Sequence, residues 1–173
     1  MDGDLFSKPA EYTIDSSCLV AMFDDSPWTS KQINAGLWVR VLELINKGII
    51  ISHVEVLLEI KKDGRKGEEL YNWVQSNKEI FRDYNEDAEG KIIRSMSEKY
   101  KAFVNAKLVH EHADPWLVAQ AKHRGLKIIS EELFTTSPKP SRWGIPNVCR
   151  DPLFNIECIN LWGLVKERNW KFE

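Results

Sequence analysis

The sequence predicts an α/β domain in which a mainly parallel sheet is covered by helices on both faces. Three observations carry this. Short apolar, β-branched runs alternate along the chain with segments of helical period. Each of the three clearest runs leads into a polar or acidic residue and then a turn or helix. Finally, 173 residues with 43% hydrophobic and 29% charged content suit one globular domain of roughly 150 residues.

Taken in order, Glu11–Asp15 reads as a strand and Ser16–Phe23 as a short helix. Asp24–Lys31, with Pro27, has loop chemistry. Gln32–Lys47 carries Ile33, Leu37, Val41 and Ile45 at every fourth position, and Gly48 stops it. Ile49–Ile51 is a buried-strand signal. Ser52 with Glu55 reads as a capping box that opens a helix running to about Lys62. Lys61–Gly67 is a basic turn, and helices are expected over Glu68–Ser76 and Glu86–Val104. Asp114 reads as the N-cap, and Pro115 as the first residue, of a helix that stops at Gly125. Leu126–Ser130 is the next strand, Thr135–Gly144 a loop, Asn147–Cys149 a short strand and Asn160–Arg168 a closing helix. No linker or repeat divides residues 1–173. The expected core of this single domain runs from about Glu11 to about Leu164.

Lys+Arg is 24 and Asp+Glu is 26, so the net charge of −2 excludes a non-specific polycationic coat on nucleic acid. The charge is uneven: residues 1–60 carry −5 and residues 61–130 carry +3. Three cysteines (Cys18, Cys149 and Cys158) form neither a disulfide framework nor a zinc pattern. No apolar stretch approaches the ~20 residues of a membrane span, and no secretory leader is expected, so the expected compartment is a reducing cytoplasm.

In parallel α/β sheets ligands bind beyond the carboxyl ends of the strands. Asp15 ends the first strand, Glu131 and Glu132 follow Ser130, and Asp114 opens the helix that leads into that strand. Glu59 lies about two turns into the helix after Ile49–Ile51. Each has a purely structural alternative. Asp15 and Asp114 could cap helices, Glu131 and Glu132 could complement a helix dipole, and Glu59 could pair at the surface. Several carboxylates converging on one sheet edge would need a cation. Oxygen ligands select Mg²⁺ or Mn²⁺, the usual device for attack on a phosphodiester.

The segments YTIDSSCL with Asp15, SHVEVLLEI with Glu59, HADPWLVAQAKHRG with Asp114 and LKIISEE with Glu132 together resemble the PIN-domain nucleases. The closest likeness is to a PIN-like family long catalogued as of unknown function, and the segment IPNVC resembles that subfamily's ending. The resemblance implies a three-layer α/β/α domain that holds one or two divalent cations and cuts RNA. Asp15, Glu59 and Asp114 match its three core acids. Glu132 takes the fourth place, where Asp is commoner, and Glu131 is the alternative. Ser16 and Ser130 would be supporting hydroxyls that hold a carboxylate or a water. Many small PIN proteins resemble the toxin half of a toxin–antitoxin pair, which leaves room for an antitoxin partner and a homodimer.

Lys61, Lys62, Arg65 and Lys66 either grip RNA phosphates or form a solvated turn. Lys139 and Arg142, beside Trp143, either hold RNA or belong to an ordinary surface loop. Trp38, Trp73 and Trp162 stand at core spacings, and Trp28 is the candidate for an exposed contact or a dimer surface. His53, His110, His112 and His123 lack metal-ligand spacing, with His112 at the rim of the site. The expected function is thus a metal-dependent endoribonuclease. Two alternatives are a catalytically silent PIN module that binds RNA or protein and a haloacid-dehalogenase-like phosphatase. The latter needs a D-x-D where this chain has Asp15-Ser16-Ser17.

Overall fold

A computed structural model describes residues 9–24, 28–31, 34–62, 67–104 and 112–172. Five strands form one parallel sheet: β1 (Tyr12–Ile14), β2 (Ile50–His53), β3 (Phe81–Arg82), β4 (Lys127–Ile129) and β5 (Cys158–Ile159). Their order is β3-β2-β1-β4-β5, so β1 is central. Thr13 pairs with Ile51 on one side and Ile128 on the other. Helices flank the sheet, as in a three-layer α/β/α fold.

The helices among the described residues are α1 (Ser16–Phe23), α2 (Ala35–Asn46), α3 (Val54–Lys62), α4 (Glu68–Ser76), α5 (Glu86–Lys99), α6 (Lys101–Val104), α7 (Ala113–Arg124), α8 (Ile145–Cys149) and α9 (Leu161–Glu167). None is long and apolar enough to cross a membrane. In α2, Leu37, Trp38, Val41, Leu44 and Ile45 make one buried stripe, as the fourfold spacing requires. The Asn34 side chain caps it by accepting from Leu37 N–H at 3.0 Å. Gly48 follows at φ +68°, a conformation that an L side chain rarely adopts.

α7 is the central helix, buried from Ala113 through Ala121. Its Gln120 is wholly buried and is bonded at both ends of its amide. It accepts from the Thr13 hydroxyl at 2.7 Å and donates to the Ser52 carbonyl at 3.3 Å. One amide thereby pins α7 to β1 and β2 in a fixed register, where an unpaired polar group would cost about 1–3 kcal/mol. Gly125, in the left-handed region at φ 68°, ends the helix.

Several sequence expectations are corrected. Ser52 makes no capping box, because it remains in β2 and its hydroxyl donates to the Ile14 carbonyl at 2.7 Å. His53 Nδ1 instead accepts from Glu55 N–H at 3.0 Å as α3 begins. Asp114 is not the N-cap of α7: His112 occupies that position, and Asp114 lies in the first turn. Asn147–Cys149, expected as a strand, belongs instead to the helix Ile145–Cys149, with Pro146 in its first turn, where a missing N–H is harmless. The helix expected over Glu86–Val104 breaks at Tyr100, which leaves helical geometry at φ −118°, ψ 47° while its hydroxyl donates to Asp151. Trp162 is half exposed rather than packed in the core. Strands β3 and β5, of two residues each, carry no sequence signal.

Candidate functional site

The carboxyl ends of β1 and β4 meet where Asp15 N–H donates to the Ile129 carbonyl at 2.9 Å. Asp15 then turns the chain into α1. Its Oδ1 accepts from Ser16 N–H at 2.7 Å, and its Oδ2 accepts from the Ser130 hydroxyl at 3.0 Å and from the Ser17 hydroxyl. Asp15 is therefore a helix cap and a candidate ligand at once. Burial pushes its carboxyl up, the Ser17 and Ser130 hydroxyls pull it back, and the Glu59 charge raises it again; the net direction is upward.

The two predicted supporting hydroxyls stand between the acids. Ser16 Oγ donates to Glu59 Oε1 at 2.9 Å, which joins α1 to α3. Ser130 Oγ donates to Asp15 and accepts from Glu132 N–H at 3.1 Å. Ser17, which no sequence motif marks, also donates to Asp15 and accepts from Glu131 N–H at 3.0 Å. The available signal was its place in the run Asp15-Ser16-Ser17, directly after a strand.

Asp114 enters from the first turn of α7 and is buried. Burial drives its carboxyl well above the usual range, and the charges of Asp15, Glu132 and Glu59 push it further. Those three acids thus converge on Asp114 from β1, the β4 loop and α3. Glu132 is likewise raised, first by burial and then by Asp15 and Glu59, against a lowering bond from Ile145 N–H at 2.7 Å.

The pair Glu131 and Glu132 separates cleanly. Glu132 Oε2 caps α8 and lies within the field of the acid cluster. Glu131 Oε1 turns instead to α9 and accepts from Leu161 N–H at 2.8 Å. Glu132 fits because position 144 is glycine: a Cβ there would overlap the Glu132 carboxylate. That close approach is a second feature the sequence alone did not reveal.

His112 adds a nitrogen donor. Its Nδ1 lies 3.6 Å from Asp114 Oδ2, and one donor atom each from Glu59, His112 and Asp114 all fall within 4.8 Å of one another. Two carboxylates and an imidazole at this spacing make a donor set that could hold a metal ion. Asp15 and Glu132 stand beside the trio and add negative charge.

The basic candidates lie nearby along the chain. Lys61 and Lys62 are exposed at the end of α3, shortly after Glu59. Arg142 is exposed two residues before Gly144. Arg65 and Lys66 lie outside the described residues. Trp143 is tied down, its indole N–H donating to the Ser137 carbonyl at 2.8 Å.

No curated protein and no solved structure matches the chain. One family does, described only as a domain of unknown function, DUF4411, over residues 12–172. The matched span starts at the first residue of β1 and runs past α9, so it takes in every strand and every acid described above. On that match, the chain belongs to the DUF4411 family.

Proposed function

We propose that the protein is a divalent-metal-dependent ribonuclease of the PIN type that hydrolyses RNA phosphodiesters at the carboxyl edge of its sheet. The observation that carries this reading is the convergence of Asp15, Glu59 and Glu132 on buried Asp114, with His112 beside it. Acids gathered at such mutual cost are characteristic of functional sites rather than of stabilising structure.

Glu59, His112 and Asp114 would hold a Mn²⁺ or Mg²⁺ ion, with Asp15 and Glu132 completing the negative shell. Bound there, the cation would supply the positive charge that a phosphodiester needs as negative charge builds on its oxygens. The chain's own residues orient the carboxylates. Ser16 fixes Glu59, Ser17 and Ser130 fix Asp15, and the Ile145 N–H fixes Glu132. Oriented carboxylates also accept hydrogen bonds from an incoming water and aim it at the phosphorus. Lys61, Lys62 and Arg142, all exposed, would hold the backbone of an RNA strand.

The test is incubation with total cellular RNA plus Mn²⁺, with and without EDTA, followed by mapping of the new ends. Cleavage should require the ion and disappear in Asp15→Asn and Asp114→Asn while both variants stay folded. Undiminished cleavage in both would sink the assignment. Metal binding without any cleavage would favour the silent RNA- or protein-binding module.

A further inference from the structure

We propose that Trp28 and Trp162 form a stacking subsite that takes the bases of single-stranded RNA beside the acid cluster. This rests on the ribonuclease reading above. The other five tryptophans are buried or half-buried against the core, whereas Trp28 is 38% exposed and Trp162 is 49% exposed. Their rings meet edge to face at 89°, with centroids 5.8 Å apart. Distant in sequence, they form one aromatic patch on the surface.

Its position gives it meaning. Trp162 stands in the first turn of α9, which starts directly beyond the carboxyl end of β5. The preceding residue, Leu161, is bonded through its N–H to Glu131, the neighbour of Glu132. The patch therefore shares the sheet edge that gathers the acids and is tied to it by a side-chain bond. One turn further along α9, Lys166 Nζ lies 5.6 Å from the Trp162 ring centroid. Two indoles and an ammonium group match the alternation of base and phosphate in a single strand. Every base offers a π-face, so such a subsite would bind with little sequence preference. A duplex, with its bases already stacked, would gain nothing from it.

The test is fluorescence anisotropy with a labelled, single-stranded, twelve-nucleotide oligouridine in EDTA, where metal-dependent cleavage is off. Trp28→Ala and Trp162→Ala should each weaken binding about tenfold, the worth of roughly one stacked base. Trp162→Phe should restore most of the affinity, and Lys166→Gln should flatten the salt dependence. A blunt RNA duplex should show no difference between wild type and the tryptophan variants. Circular dichroism confirms that each variant is folded. Three results would overturn the subsite: unchanged affinity in both alanine variants, an equal loss on the duplex, or sedimentation showing that the alanine variants only split a dimer. Cleavage by Asp114→Asn in Mn²⁺ separates this proposal from the reading beneath it. Cleavage that depends on Asp114, with tryptophan variants binding normally, overturns the subsite alone. Cleavage indifferent to Asp114 overturns the ribonuclease assignment and leaves the binding comparison to stand by itself.

Discussion

At the amino edge of the sheet, Glu167 accepts from Lys127 at 2.7 Å and from the Tyr12 hydroxyl at 2.8 Å. Lys127 also lies 2.9 Å from Glu157, and Arg168 donates to Glu11 at 2.7 Å. At the carboxyl edge, beyond the other end of the three-residue strand β1, Asp15, Glu59 and Glu132 face Asp114. The electrostatic outcomes are opposite. Burial works against the Glu167 charge, but hydrogen bonds from Lys127 and Tyr12 hold its carboxyl below the usual range. The carboxyls of Asp15, Asp114 and Glu132 are all pushed up. One edge is built for stability, and the other keeps a repulsion that a bound cation would relieve.

Breaking the carboxyl edge should have the largest effect. Asp114→Asn is expected to lower RNA cleavage by about a thousandfold or more, measured as initial rates in Mn²⁺, because removing one member of a site that acts as a unit disables the whole. The distant Glu167→Gln should leave those rates within about twofold.

Gly144→Ala tests the positioning of Glu132. The added Cβ overlaps the Glu132 carboxylate, so that carboxylate must swing away and lose its bond to Ile145 N–H. Cleavage should fall about ten- to a hundredfold, as expected for an ångström-scale misplacement near the chemistry. A rate equal to wild type would remove Glu132 from the working site.

The comparison sharpens in stability, where the two edges should respond with opposite signs. In EDTA at pH 7, Asp114→Asn should stabilise the fold by about 1 kcal/mol by relieving repulsion, the familiar trade between stability and activity. Glu167→Gln should destabilise it by about 1 kcal/mol or less, since its ion pair is partly solvated. Thermal melts of both proteins check this, and equal signs would end the contrast.

The pH slopes follow the same logic. A carboxyl raised in the fold, such as Asp114, favours the folded state below its unfolded pKa near 4, and that contribution is lost as pH rises through the folded value. The opposite case is Asp151, lowered to about 2 by the Lys99 ammonium and the Tyr100 hydroxyl. Its contribution, about 1–2 kcal/mol after allowance for the exposed lysine, is present above pH ~4 and lost as pH falls toward 2. Asp151→Asn should therefore lower the melting temperature at pH 7 and shrink its fall between pH 4 and pH 2.

Much of this edge was legible in the sequence because three strands are strongly patterned. The apolar runs before Asp15 and Glu131, and the run Ile49–Ile51, are central strands buried on both faces, and their composition marks them. The fixed ends of those strands located Asp15 and Glu132. Strands β3 and β5 were not legible. Each has two residues, too short for any period, and exists only because a neighbouring strand offers a partner. Asn147–Cys149 reads as a strand because three residues around Val148 carry no helical period, while the helix that holds them starts two residues earlier, where Pro146 is tolerated in a first turn. The distinction between Glu131 and Glu132 depends on which helix N-terminus each one caps, a tertiary fact. In the sequence His112 stands out only as a neighbour of Asp114. Its nearness to Glu59 as well depends on the approach of α3, which no spacing within one helix encodes.

The proposed ribonuclease requires that the carboxyl edge bind a divalent cation, held by Glu59, His112 and Asp114. Calorimetric titration of the metal-free protein with Mn²⁺ tests it most directly. Saturable binding should appear in the wild type, weaken at least tenfold in His112→Ala, and vanish in Asp114→Asn. Failure of the wild type to bind Mn²⁺, or equal binding by Asp114→Asn, would contradict it.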